Sequence, residues 1–205
     1  NLSYNKTFGK HSVYVEGWDA CRKIAILTSL ASGNQVDFKD IYTEGITKVT
    51  AEDFAYAKKA GCAIKLLAVS KKQGDTYCVM VAPAFVRKEN PLYMVNDVFN
   101  AVCVEGNMLG ASMFYGSGAG KLPTASAVAG DMVDAARHLG KIITTFWNPQ
   151  KLELAPVGEM THRFFVRMKS DAKDAKVFGD VEMIDAKIKG EIGFMTPVMS
   201  EDAFA

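Results

Sequence analysis

The sequence is poor in the residues that build metal centres and disulfide frames. Its 205 residues hold three histidines and four cysteines, and neither set clusters. Cys21, Cys62, Cys78 and Cys103 are widely and irregularly spaced, with no C-x-x-C pair. That spacing argues against a zinc site or a disulfide scaffold and for reduced thiols, hence a cytoplasmic protein. His11, His138 and His162 stand equally far apart, so no histidine-based metal site is expected. No apolar run approaches the roughly 20 residues of a membrane span, and no signal peptide opens the chain. An excess of one charge is missing too. The formal net charge is +1 with Lys and Arg scattered, without the clustered positive surface of a nucleic-acid binder. The chain begins at Asn1 rather than at Met and reads as a piece of something longer.

What is present is ordinary for a folded protein: 49% hydrophobic and 23% charged residues, enough for one core and a small appendage. Asn1 to Tyr14 lacks periodicity and reads as a loose lead-in. Trp18 to Ser32 reads as a helix closed by Gly33-Asn34. Thr50-Ala-Glu-Asp53 is a near capping box opening a second helix that stops at Gly61. Two apolar runs, Cys62–Ser70 and Thr76–Val86, flank Gln73-Gly-Asp75 as a hairpin, with Pro83 suggesting an edge or a strand end. Pro91–Val95 reads as a short helical turn. A further hairpin spans Ala101–Val104 and Met108–Tyr115, and a helix covers Thr124–Leu139. On that helix Ala125, Val128, Met132, Ala135, Ala136 and Leu139 share one face suited to packing on a sheet. Trp147-Asn-Pro149 reads as a linker. Beyond it, Arg163–Met168, Val181–Ala186 and Glu191–Met195 read as short strands, with Ser200 capping a possible helix. The expected fold is α+β, a mainly antiparallel or mixed sheet covered by helices on one face. Two domains are expected, residues 1–147 and a small α+β tail over 148–205.

Two places carry chemistry. The stretch Phe114-Tyr-Gly-Ser-Gly-Ala-Gly-Lys-Leu-Pro-Thr-Ala-Ser-Ala-Val128 sets three glycines between a strand and a helix. Glycine allows close backbone approach, and the unpaired amides of a helix start favour an anion. Neither familiar phosphate motif fits. Tyr115 and Leu122 break the P-loop pattern, and Lys121 replaces the third glycine of the dinucleotide fingerprint. On spacing alone a ligand-facing loop and a tight strand-to-helix corner stand level.

The other place is the pair Asp19 and Lys23. An i,i+4 ion pair on a solvated face is the usual reading, stabilising by roughly 0.2–0.5 kcal/mol. A projection at about 100° per residue instead places both on the arc of Ile24, Ile26, Leu27, Leu30 and Ala31, with Arg22 and Ser29 pointing away. Charges at the head of a buried stripe are costly even when paired. A cleft at that end of the helix resolves the conflict, and a lysine amine is readily tuned by burial for acid–base work.

These two stretches resemble one family. Val15-Glu-Gly-Trp-Asp-Ala-Cys-Arg-Lys-Ile-Ala-Ile-Leu27 resembles the D-x-x-x-K helix of homoserine dehydrogenases, and the glycine stretch resembles their glycine-rich C-terminal segment. Ala63-Ile-Lys-Leu-Leu-Ala68 and Phe99-Asn-Ala-Val102 match between them, in the same order. The resemblance runs from about Val15 to Arg137. It implies NAD(P)-dependent interconversion of L-homoserine and L-aspartate 4-semialdehyde, on the route to threonine, methionine and isoleucine. It implies Lys23 as the catalytic acid–base, Asp19 as a substrate-binding residue, and Gly120 against the cofactor with Gly118 and Ala119 shaping the loop. It further implies a homodimer or higher homo-oligomer, with NADP or NAD held mainly by a nucleotide-binding domain that this sequence lacks.

Phe8-Gly-Lys-His-Ser-Val13 does not reproduce the family's G-Y-x-E…D-P-x-x-D segment, so its substrate-binding Glu has no counterpart. The tail resembles a shortened ACT module. The expected function is therefore a catalytic-region fragment of a homoserine dehydrogenase, inactive without its nucleotide-binding domain. The alternative is a catalytically inactive oligomerisation or amino-acid-sensing module.

Overall fold

The computed structural model describes residues 11–143, 146–169 and 173–205. In chain order the elements are α1 (His11–Val15), α2 (Trp18–Ser32), β1 (Asn34–Gln35), β2 (Tyr42–Thr43), α3 (Ala51–Lys59), β3 (Cys62–Gln73), β4 (Thr76–Arg87), β5 (Phe99–Gly106), β6 (Gly110–Ser117), α4 (Lys121–Arg137), β7 (Asn148–Lys151), β8 (Thr161–His162), β9 (Phe165–Lys169), β10 (Glu182–Ile184), β11 (Glu191–Met195), β12 (Met199–Ser200) and α5 (Glu201–Phe204). The fold is α+β, built from small antiparallel and mixed sheets that carry helices. Most of the expected lead-in, residues 1–10, lies outside the described residues. His11–Val15 at its end is helical.

The chain divides into two compact units. The first holds the described residues up to Phe85 together with Phe146–Ala205; the second holds the described residues of Val86–Thr145.

In the first unit β4 is the middle strand of the sheet β2-β4-β3. Its alternating side chains serve two layers, as the period of two in a strand requires. Val79 and Val81 join Cys21, Ile24 and Ala25 of α2, with Val36 and Ile41, in the main core. Cys78 and Met80 meet Met160 on the other side, with Ala155 and Val157 beside them. β2 runs parallel to β4 and pairs only with Met80 and Val81. Pro83 lies beyond that pairing, where its missing N–H costs no bond to β2.

Trp147-Asn-Pro149 is not a simple linker. Asn148–Lys151 forms β7, parallel to β1, with the Asn148 amide donating to the Gly33 carbonyl at 2.8 Å and the Leu152 amide to the Gln35 carbonyl at 2.8 Å. Leu152 and Leu154 then pack on the main core, so apolar burial ties this segment to α2.

The C-terminal strands form an antiparallel sheet in the order β10-β11-β9, with Gly193 opposite Arg167. Tyr56 of α3 packs on it, 5.3 Å from Phe165 between ring centroids, and Phe85 stacks on Phe165 at 4.6 Å. β12 pairs with β8. Ser200 caps α5 by accepting from the Ala203 amide at 3.2 Å.

In the second unit β5 and β6 form an eight-residue antiparallel hairpin, registered from Phe99↔Ser117 to Gly106↔Gly110. A turn of 3-10 helix, Pro91–Met94, precedes it. α4 starts three residues earlier than its periodicity suggests and buries none of its residues. Val128, Met132 and Leu139 are all exposed. The expected packing of this helix on a sheet is absent among the described residues.

Candidate functional site

α2 owes its position to two glycines. Gly17 caps its N-terminus with φ of 86°, a left-handed conformation that a side chain would strain. A Cβ there would also lie 3.1 Å from Thr43 Cγ2 and 3.3 Å from Val81 Cγ1. Opposite, a Cβ on Gly45 would strike the Val15 carbonyl and the backbone of Glu16. The Ile46 amide donates to the Val15 carbonyl at 2.7 Å and the Glu44 amide to the Val81 carbonyl at 2.8 Å. The segment entering α2 is thus clamped against β2 and β4, which fixes the direction in which the first turn of the helix presents its side chains.

On that helix Lys23 Nζ lies 2.8 Å from Asp19 Oδ2, with the side chains 65% and 34% exposed. The expected inward orientation is not found. The face that α2 buries consists of Cys21, Ile24, Ala25, Thr28 and Ser29, whereas Ile26, Leu27 and Leu30 are exposed. Of the expected arc only Ile24 is buried, and Ser29 lies inside the unit. Small polar side chains occupy the interior because each is satisfied there. Cys21 Sγ donates to the Phe38 carbonyl at 3.3 Å, Thr28 Oγ1 to Ser70 Oγ at 2.8 Å, and Ser29 Oγ to the Ala25 carbonyl at 2.8 Å. Ser29 Oγ also accepts from the Val36 amide at 2.9 Å. Asp19 and Lys23 therefore head an open apolar stripe, accessible to a ligand.

Beside the clamp, Tyr42 donates to Glu44 Oε2 at 3.2 Å. Burial, then the negative charge of Glu44, raises this phenol above its ordinary value.

The glycine stretch lies in the second unit. Gly118 donates its amide to the Val98 carbonyl at 2.9 Å, and a Cβ on it would fall on the Asn100 side-chain amide. Gly120 has φ of 124° and caps α4. The nearest atom to a Cβ there would be Pro123 Cδ at 3.4 Å, so backbone is laid bare at the turn. Gly118 answers to packing inside the hairpin, while Gly120, beside Ala119, keeps an open backbone surface at the start of a 17-residue helix. Such a surface allows a ligand to approach the backbone closely. Among the described residues no group of three or more His, Cys, Asp and Glu side chains could hold a metal ion.

One cluster had no signal in the sequence. Arg167 on β9 donates through Nη1 to Thr50 Oγ1 at 2.8 Å and to Asp53 Oδ1 at 2.9 Å, and its Nε lies 3.3 Å from Glu191 Oε2. Thr50 and Asp53 sit more than a hundred residues from Arg167 in the chain, so no local spacing announces the cluster.

The family model for homoserine dehydrogenase matches residues 12–133. The homoserine dehydrogenase of Mycobacterium tuberculosis is 45% identical over 161 residues, which cover 75% of this chain and 36% of that protein. That of Helicobacter pylori is 38% identical over 174 residues, covering 84% of this chain and 41% of that protein. The crystal structure of a homoserine dehydrogenase from Thiobacillus denitrificans superposes with a TM-score of 0.82 at 27% identity, over 96% of this chain and 49% of that one. The chain thus spans about two fifths of the curated relatives it matches. A family model that covers more than half of the chain, together with relatives of this identity, places the chain in the homoserine dehydrogenase family.

Proposed function

We propose that this chain is the substrate-binding and dimerisation region of a homoserine dehydrogenase, an NAD(P)-dependent oxidoreductase that interconverts L-homoserine and L-aspartate 4-semialdehyde in amino-acid biosynthesis. The observation that carries the reading is the Asp19–Lys23 pair, 2.8 Å apart and open to solvent, at the positions of the family's D-x-x-x-K helix. Lys23 acts as the acid–base, exchanging a proton with the hydroxyl or carbonyl oxygen of the substrate. Asp19 binds and orients the substrate and holds the lysine beside it. The nicotinamide cofactor, NADP or NAD, supplies the hydride chemistry when bound. Gly120 offers it a bare backbone surface, shaped by Gly118 and Ala119, and most of the nucleotide is held by a domain outside this sequence.

The division of labour follows the sequence, with catalysis and dimerisation in residues 1–147 and an ACT-like tail in 148–205. A homodimer is supported by the hairpin of the second unit. Val102, Val104, Met113, Phe114 and Tyr115 are exposed on it, and a two-stranded hairpin is marginal without a covering partner. A cytoplasmic location is supported by the cysteines. Cys21 and Cys78 are buried without a disulfide and Cys103 is an exposed thiol. Among the described residues no helix is long and apolar enough to cross a membrane.

The test is NADPH oxidation with L-aspartate 4-semialdehyde by the complete enzyme. Lys23→Ala lowers kcat by roughly 10²–10⁴-fold, the usual worth of a positioned acid–base group, and leaves the far-ultraviolet circular dichroism unchanged. Turnover at the wild-type rate removes Lys23 from the mechanism.

A further inference from the structure

The glycines of the loop between β6 and α4 are glycine for different reasons. Gly120 takes a φ of 124°, which a side chain would strain. Gly118 does not take a positive φ, so its backbone conformation would admit a side chain. What excludes one is a single neighbour. A Cβ on Gly118 would fall on Asn100 Nδ2 and lie 2.7 Å from Asn100 Cγ. A Cβ on Gly116, the register partner of Asn100, would meet nothing within 4 Å. The Asn100 carboxamide therefore passes over the residue opposite it and rests on Gly118, the first residue beyond β6.

The backbone under Asn100 is held on several sides. Asp97 takes a left-handed φ of 57°, Asn96 Nδ2 donates to the Met94 carbonyl at 3.2 Å, and the Phe99 amide donates to the Asn96 carbonyl at 3.1 Å. Across the hairpin the Gly118 amide donates to the Val98 carbonyl at 2.9 Å. Phe99 stacks on Tyr115 at 4.9 Å between ring centroids, on the face opposite Asn100, as strand alternation dictates. The other end of the loop is bare. A Cβ on Gly120 would meet only Pro123, at 3.4 Å and 3.7 Å. The loop is thus braced at Gly118 and open at Gly120. Such a brace favours binding, because the open end is already ordered before a ligand arrives.

We propose that Asn100 is a positioning residue for the nicotinamide cofactor. Its carboxamide fills the space that a side chain at position 118 would take, and so holds residues 118–120 in the conformation that exposes the Gly120 backbone. The inference rests on the dehydrogenase reading and adds to it a residue on a strand outside the glycine loop.

The test is the dissociation constant of NADPH, measured by fluorescence titration of the complete enzyme without the second substrate. Asn100→Ala weakens binding about five- to thirtyfold, the effect of returning one residue's backbone freedom to the unliganded loop. Gly118→Ala weakens it by a similar factor, because the new methyl group displaces the carboxamide. In the double variant the methyl group finds the space empty, and the loss is no greater than in either single variant. The KM for NADPH rises with the dissociation constant, whereas the KM for L-aspartate 4-semialdehyde does not follow. Unchanged NADPH affinity in Asn100→Ala overturns the proposal, as do losses that multiply in the double variant. An equal rise in both KM values also overturns it, since that marks a loosened hairpin rather than a displaced loop. Wild-type enzyme that does not bind NADPH at all removes the dehydrogenase reading and this proposal together.

Discussion

Arg167 and Asp53 join elements 114 residues apart, the guanidinium donating to the carboxylate at 2.9 Å. Asp53 is also the residue that closes the capping box of α3, its Oδ2 accepting from the Thr50 amide at 2.7 Å. One carboxylate thus starts a helix and anchors it to the C-terminal sheet.

Arg167→Ala leaves Asp53 and Glu191 without their cation. The side chains are 25%, 19% and 31% exposed, so solvent screens part of the loss. The expected destabilisation is about 1–3 kcal/mol, read as a fall in the urea midpoint at constant slope. Arg167→Lys recovers little of it, because an ammonium cannot reproduce a fork aimed at Thr50, Asp53 and Glu191 together. Full recovery by lysine would reduce the role of Arg167 to simple charge.

Gly193 lies under the Tyr56 ring, and a Cβ there would enter the ring carbons. Gly193→Ala is expected to destabilise by about 1–3 kcal/mol through overpacking. Adding Tyr56→Leu should cost less than the sum of the two single changes, and a double-mutant cycle measures that coupling. Strict additivity would mean that the two residues do not meet.

Gly17→Ala tests the clamp on α2. Left-handed strain and contact with Thr43 and Val81 together cost about 1–3 kcal/mol, visible in thermal melting. In the complete enzyme kcat should fall as well, because the clamp sets where Asp19 and Lys23 point. A destabilised variant with unchanged kcat separates the clamp from catalysis.

Cys78 is fully buried, and burial first, then Glu159 and Glu201, pushes its thiol above the ordinary value of 9.0, with Lys71 opposing. The folded state holds this proton more tightly than the unfolded chain does. The stabilising contribution is therefore complete below about pH 9 and is lost as pH rises through the folded value. Unfolding free energy should decline above pH 9, less steeply in Cys78→Ala. In the wild type at neutral pH a thiol reagent should label exposed Cys103 at once and Cys78 only on unfolding.

Much of the architecture was legible because its signals are local. The Gly33 stop, the Thr50 cap and the turn around Gly74 each act within a few residues, so α2, α3 and the β3–β4 hairpin follow from short stretches of sequence. The three tail strands, each matched to within two or three residues at its ends, follow from their apolar runs. The sequence also placed Asp19 and Lys23 on one helix face with Ile26, Leu27 and Leu30, since a period of 3.6 residues fixes which side chains share a side.

Which side turns inward was settled only by tertiary structure. Hydropathy favours Ile26 and Leu30, yet the unit buries Cys21, Thr28 and Ser29, because partners from the Phe38 turn, Val36 and Ser70 satisfy their polar atoms. The pairing of β7 with β1, the Arg167 anchor and the Tyr56–Gly193 contact arise in the same way. Each depends on groups far apart in the chain, whose meeting is decided by which combination of burial and hydrogen bonding the whole fold can satisfy at once.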